Sequence, residues 1–200
     1  MVAAAAHHLS ARIDEHHAAS WFDPCITAIA DDVLSHLNLS GIEVRVSELE
    51  AGTGGSVRAT QPRVIVMSAT SASGCAHPDT TVGDIDEQMR PYRDFLASTL
   101  AHEAAHVAQN DLVGRPEAPV RQLLFAPVVD RRVERLARAL GGTRTNTAGV
   151  SVSALERSAD CAAEAYGYAT FPGLGYDVEC TDADLAATVA VIEGRWPTTP

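Results

Sequence analysis

Lysine is missing from this chain: all 15 basic residues are arginine, set against 26 Asp and Glu for a formal charge of −11. A nucleic-acid partner needs clustered positive charge, so that balance argues against one. No apolar run approaches the ~20 residues of a membrane-spanning helix. No C-x-x-C pair occurs, which removes the common cysteine zinc sites and the thioredoxin-type motif. Met1 to Ala6 lack the basic n-region and long apolar h-region of a signal peptide. Internal repeats, heptads and low-complexity tracts are likewise missing.

What remains is ordinary globular material. The 200 residues are 46% hydrophobic and 20% charged, which excludes wholesale disorder and gives one domain enough apolar surface for a core. Cys25, Cys75, Cys161 and Cys180 form an even set with three possible pairings. Spacing favours the short-loop choice, Cys25 with Cys75 and Cys161 with Cys180. Disulfides fit an exported protein and free buried thiols a cytosolic one, so a secreted or cell-envelope location is slightly favoured.

Residues 1–20 are rich in Ala and carry His7, His8, His16 and His17. They read as an exposed helical segment set apart from the domain rather than a metal-binding tail. Asp23-Pro24 opens a helix, with Ile26, Ile29, Val33, Leu34 and Leu37 as its apolar stripe. Residues 42–49 alternate as a half-buried strand, Gly52–Gly55 is a turn and Val64–Met67 a second strand. A loop is expected over residues 68–82. A helix follows over residues 84–112, with Pro91 in the first turn of its main part, and another over residues 120–140. In the latter Leu123, Leu124, Val128, Val133, Leu136 and Leu140 recur at helical spacing, while Arg131, Arg132, Arg135 and Arg138 mix with Asp130 and Glu134 as a solvated face. Residues 151–168 read as helix, and Thr181 caps a last one. The expectation is a mostly helical α+β domain with one small sheet.

The chemistry concentrates in His102-Glu103-Ala104-Ala105-His106, an H-E-x-x-H within a helical pattern. Positions four apart share a helix face, so both imidazoles can aim at one ion, and Glu103 projects from a neighbouring angle where it can reach a metal-activated water. A catalytic zinc takes three protein ligands plus water. Glu156 and Asp160, four apart on a later helix, are the best source of the third: one carboxylate can ligate while the other accepts from the free nitrogen of a ligand His. The plain alternatives are a capping box of Ser153 with Glu156 and a solvated face at Asp160.

H-E-x-x-H followed by E-x-x-A-D resembles the gluzincin zinc metallopeptidases, and most nearly the bacterial neutral zinc metallopeptidases. The likeness runs through H-E-x-x-H-x-x-Q at His102–Gln109, E-x-x-A-D-C at Glu156–Cys161 and an acidic capped helix from Thr181; it covers about the C-terminal half. It departs where the family carries an aromatic-Gly pair (here Ala104-Ala105) and a Gly-Asp-Asp-like turn (here Glu193-Gly194-Arg195). The resemblance implies a zincin-like domain and one Zn²⁺ on His102, His106 and Glu156. It further implies Asp160 as an outer partner and peptide-bond hydrolysis with Glu103 as general base. Such sites add an oxyanion donor, for which Tyr166, Tyr168, Tyr176 and His77 are the candidates. Val64–Met67 is either a cleft-edge strand that pairs with extended substrate or an ordinary buried strand. Two other readings stand beside this one: a narrow regulatory peptidase of the repressor-cleaving type, and a zinc-stabilised binding domain without turnover.

Overall fold

The computed structural model describes residues 24–72, 75, 85–170, 176 and 179–198. The N-terminal histidines and His77 lie outside that set. The architecture is α+β, dominated by helix, with one small sheet and a two-residue ribbon. Among the described residues no helix is long and apolar enough to cross a membrane.

Helix α1 (residues 24–36) buries Ile26, Ala30, Val33 and Leu34, close to the expected stripe. Three strands follow: β1 (Glu43–Ser47), β2 (Gly55–Arg58) and β3 (Gln61–Ser68). Their spatial order is β1-β3-β2, with β1 parallel and β2 antiparallel to β3. This corrects one sequence expectation and decides between the two readings of another. Gly55 ends the expected turn by starting a strand. Val64–Met67 lies in the central strand, so the edge nearest the cleft is β2. Ile65 and Met67 are fully buried, as a central strand requires.

The expected loop after residue 68 opens with a short helix, α2 (Ala69–Ala72), before the long helix α3 (Ile85–Val113). Pro91 lies inside α3 rather than at its start, since one missing donor does not stop a helix whose following turns are buried. Leu96, Leu100, Ala101, Ala104, Val107 and Ala108 form its core side. Alanine at three of those positions keeps that side slim, and α3 packs against α5, α6, β2 and β3.

Helix α4 (Pro119–Ala139) corrects another expectation. Val129, Leu136 and Leu140 at its end are buried, but Leu123 is 81% and Leu124 72% exposed. Only the second half of the helix reaches the core, so the apolar repeat in the first half faces outward.

The ribbon β4 (Arg144–Thr145) and β5 (Ser151–Val152) then leads into α5 (Ala154–Ala165), and the chain closes with α6 (Asp182–Ile192). Residues 151–152 were expected to be helical. Instead Ser153 caps α5 by accepting from the Glu156 N–H at 3.2 Å, which fixes where the helix begins. Arg157, 1% exposed, donates to the carbonyls of Leu140 and Gly142 and faces Asp184 at 3.4 Å. Asp184 also accepts from Arg144 at 2.6 Å and closes the capping box with Thr181. One buried ion network thus ties α4, the ribbon, α5 and α6 together.

Both expected cysteine pairs are disulfides, with Cα separations of 5.6 Å for Cys25–Cys75 and 5.7 Å for Cys161–Cys180. Two such bonds fit a protein of an oxidising compartment.

Candidate metal centre

His102 and His106 sit one turn apart on α3, facing away from its apolar side and toward α5. Glu156, in the first turn of α5, faces them. His106 Nε2 lies 3.2 Å from His102 Nε2 and 3.2 Å from Glu156 Oε2, and His102 Nε2 lies 3.5 Å from the same oxygen. These three atoms form a nearly equilateral triangle. Ligands at about 2.0–2.1 Å from a tetrahedral ion are spaced about 3.3–3.4 Å apart, so the triangle fits one face of a tetrahedral site.

The outer hydrogen bonds fix where the ring protons are. His102 Nδ1 lies 2.8 Å from Asp160 Oδ1, and a carboxylate only accepts, so Nδ1 donates. His106 Nδ1 lies 3.0 Å from Gln109 Oε1. The Gln109 amide is oriented by its own Nε2, which donates to the Leu155 carbonyl at 3.0 Å. His106 Nδ1 therefore also donates. In the neutral rings both Nε2 atoms are then lone pairs, pointed at each other and at a carboxylate oxygen. Three such electron pairs within 3.5 Å of one another could hold a cation between them.

A proton can serve the same three atoms as a cation. Burial alone disfavours charging His102, but hydrogen bonds to Asp160 and Glu156 and the negative charge of Glu103 outweigh it and push its pKa up to about 10. Burial would raise Glu156, yet the two imidazoles hold it well below the usual carboxylate range.

Glu103 is 5% exposed, lines the cleft and is not among the three converging ligands. Burial raises its pKa, a shift that the two imidazole charges oppose but do not cancel. Strand β2 crosses directly over it. A Cβ on Gly55 would stand 2.7 Å from Glu103 Cγ, so only glycine allows that approach. At Gly54 a Cβ would stand 3.1 Å from Thr99 Cγ2, again very close.

The cleft holds about 760 Å³ and is walled by residues 52–57, the α3 face, the α5 face and the residues Tyr176, Glu179 and Cys180. Of the proposed oxyanion donors, Tyr176 lines it. Its N–H donates to Asp160 Oδ2 at 2.9 Å and its carbonyl accepts from Asn146 Nδ2 at 2.8 Å. Burial and the carboxylates of Glu156 and Asp160 raise the pKa of its hydroxyl. Tyr166 and Tyr168 are placed elsewhere: both stack edge-on against His36 of α1, and the Tyr168 hydroxyl lies 3.2 Å from His36 Nδ1.

Reasoning from sequence paired the two histidines with Glu156 and Asp160. It gave no role to Gln109, although its i+3 spacing from His106 marks it as a neighbour on the same helix face. Asn146, in the ribbon turn, carried no comparable signal.

No protein-family model matches the chain, and no curated protein or solved structure matches it either.

Proposed function

We propose that this chain is a zinc-dependent peptidase of the gluzincin type, with a zincin-like arrangement in which α3 is the active-site helix. The reading rests on one observation: three lone-pair ligand atoms converge within 3.5 Å beside a buried carboxylate that is not one of them. Cation selection follows from the donor set, since two imidazoles and one carboxylate in a tetrahedral arrangement suit zinc better than the oxygen-loving Ca²⁺ or Mg²⁺.

His102, His106 and Glu156 would hold the ion, with Asp160 and Gln109 fixing the ring orientations. Bound there, zinc supplies Lewis acidity, polarising a substrate carbonyl and lowering the pKa of a water molecule toward 7. The remaining work belongs to the chain. Glu103 takes the proton of the attacking water on its carboxylate and hands it to the leaving amine nitrogen. A pKa raised from the usual carboxylate value suits it to both tasks. The Tyr176 hydroxyl donates to the carbonyl oxygen as that oxygen gains negative charge. Strand β2, at the sheet edge and along the cleft wall, pairs with an extended peptide through its main chain. The two disulfides favour an extracytoplasmic setting for this activity.

The test is metal analysis joined to one substitution. Purified protein should retain about one zinc per chain, as a three-ligand site requires. Glu103→Gln should keep that zinc while casein or peptide-library cleavage falls at least ~100-fold. Zinc-free protein after supplementation, or full activity in the variant, would overturn the proposal. A variant that keeps zinc and whose parent shows no turnover would indicate a zinc-stabilised binding domain.

A further inference from the structure

The α5 wall of the cleft carries more carboxylates than the metal centre uses. Glu156, Asp160 and Glu164 follow one another at four-residue intervals, so one acidic stripe runs along the helix face that lines the cleft. Glu156 faces the imidazoles and Asp160 orients His102 and the Tyr176 backbone. Glu164 belongs to neither task. Eight residues separate it from Glu156, about 12 Å along the axis. Glu179 lines the same cleft, and its neighbour Cys180 is bonded to Cys161 on α5, which fixes that segment against the stripe. Among the described residues lining the cleft there is no arginine to neutralise either carboxylate. A second observation points into the same space: Glu103 is 95% buried, its carboxylate borders the cleft, and it is not hydrogen-bonded to any described residue.

From this we infer that the cleft selects peptides with a cationic side chain, Arg or Lys, a few residues from the bond held at the metal centre, with Glu164 and Glu179 as the specificity-determining residues. The inference rests on the peptide-binding reading of this cleft and adds the substrate class. An extended peptide advances about 3.3 Å per residue, so an arginine two or three positions along has the reach to meet Glu164. The rest of the chemistry agrees: a cleft lined by charge of one sign with low-dielectric walls concentrates the opposite charge.

Binding, rather than turnover, tests this. Chelator-treated full-length protein, which cannot turn over, is titrated with octapeptides carrying one Arg at each position in turn, and with twins in which citrulline replaces Arg. Citrulline keeps the shape and removes the charge. At least one Arg peptide should bind about fivefold more tightly than its citrulline twin, and 0.5 M salt should erase the difference. Glu164→Gln together with Glu179→Gln should bring the two affinities together while leaving the citrulline peptides unchanged. Both positions are exposed, so the variant should fold. Equal affinities at every position, no binding at all, or a preference that survives in the double variant would overturn the inference. Failure of the peptidase reading shows separately, in zinc content and in the Glu103→Gln comparison.

Discussion

Asp160 spends its two oxygens on different partners, Oδ1 on the His102 ring and Oδ2 on the Tyr176 N–H. One side chain therefore sets both the aim of a proposed ligand and the position of the proposed oxyanion donor. Asp160→Ala should lower zinc affinity about 10–100-fold, read by competition with a chromophoric chelator. It should also lower turnover at saturating zinc, because Tyr176 loses one of its two backbone anchors. Gln109→Ala removes the ring contact and the bond to the Leu155 carbonyl but nothing that holds Tyr176, so it should weaken metal retention without that second loss. If both variants behave alike once zinc is saturating, Asp160 does not act through Tyr176.

Among the elements, α4 separates pattern from burial. Leu136 is fully buried, and Leu136→Ala should cost about 2–5 kcal/mol in chemical denaturation. Leu123 stands in the same repeat but is 81% exposed, and Leu123→Ser should stay within about 0.5 kcal/mol. Periodicity alone assigned both residues to one stripe, because it reports which positions share a helix face and not whether a neighbour covers that face along its whole length. Strand β2 escaped for the opposite reason. Gly-Ser-Val-Arg has almost no apolar content, and its place is set by pairing with β3 and by the glycine that slides over Glu103. Helices α1, α3 and α6 were legible: Asp23-Pro24 and Thr181 marked the starts of α1 and α6, and the helical pattern around H-E-x-x-H marked α3. So was the core of the candidate metal centre: i,i+4 spacing works on any helix, and both the His pair and the Glu156–Asp160 pair obey it. Which oxygen meets which nitrogen, and which tyrosine faces the cleft, depends on how α3 meets α5, and that contact has no local signature.

For the whole molecule, covalent and ionic ties add to what the apolar core supplies. The disulfides close loops of 50 and 19 residues, and loop-closure entropy assigns them about 4 and 3 kcal/mol. Denaturation with and without reductant should differ by several kcal/mol. The buried Asp184–Arg157 network adds an acid limit. Burial alone would raise the Asp184 pKa, but hydrogen bonds from Thr181 and Arg144 and the charge of Arg157 outweigh it and hold it below the ordinary value. A lowered folded pKa gives stability that is complete above about pH 3.9 and is lost as pH falls through the folded value. Asp184→Asn should therefore destabilise the protein at pH 7, by up to about 3–5 kcal/mol for a charge left buried, and should flatten the acid limb of its pH–stability curve.

The four-residue intervals on α3 and α5 also constrain how such a chain can change length. Adding a single residue between Glu156 and Asp160 would turn one carboxylate about 100° from the other, and no adjustment elsewhere could return both to the imidazoles. The turn at Gly114–Glu117, which joins α3 to α4, carries no such phase. Insertions and deletions should accumulate there, while the spans from His102 to Gln109 and from Glu156 to Asp160 keep their count.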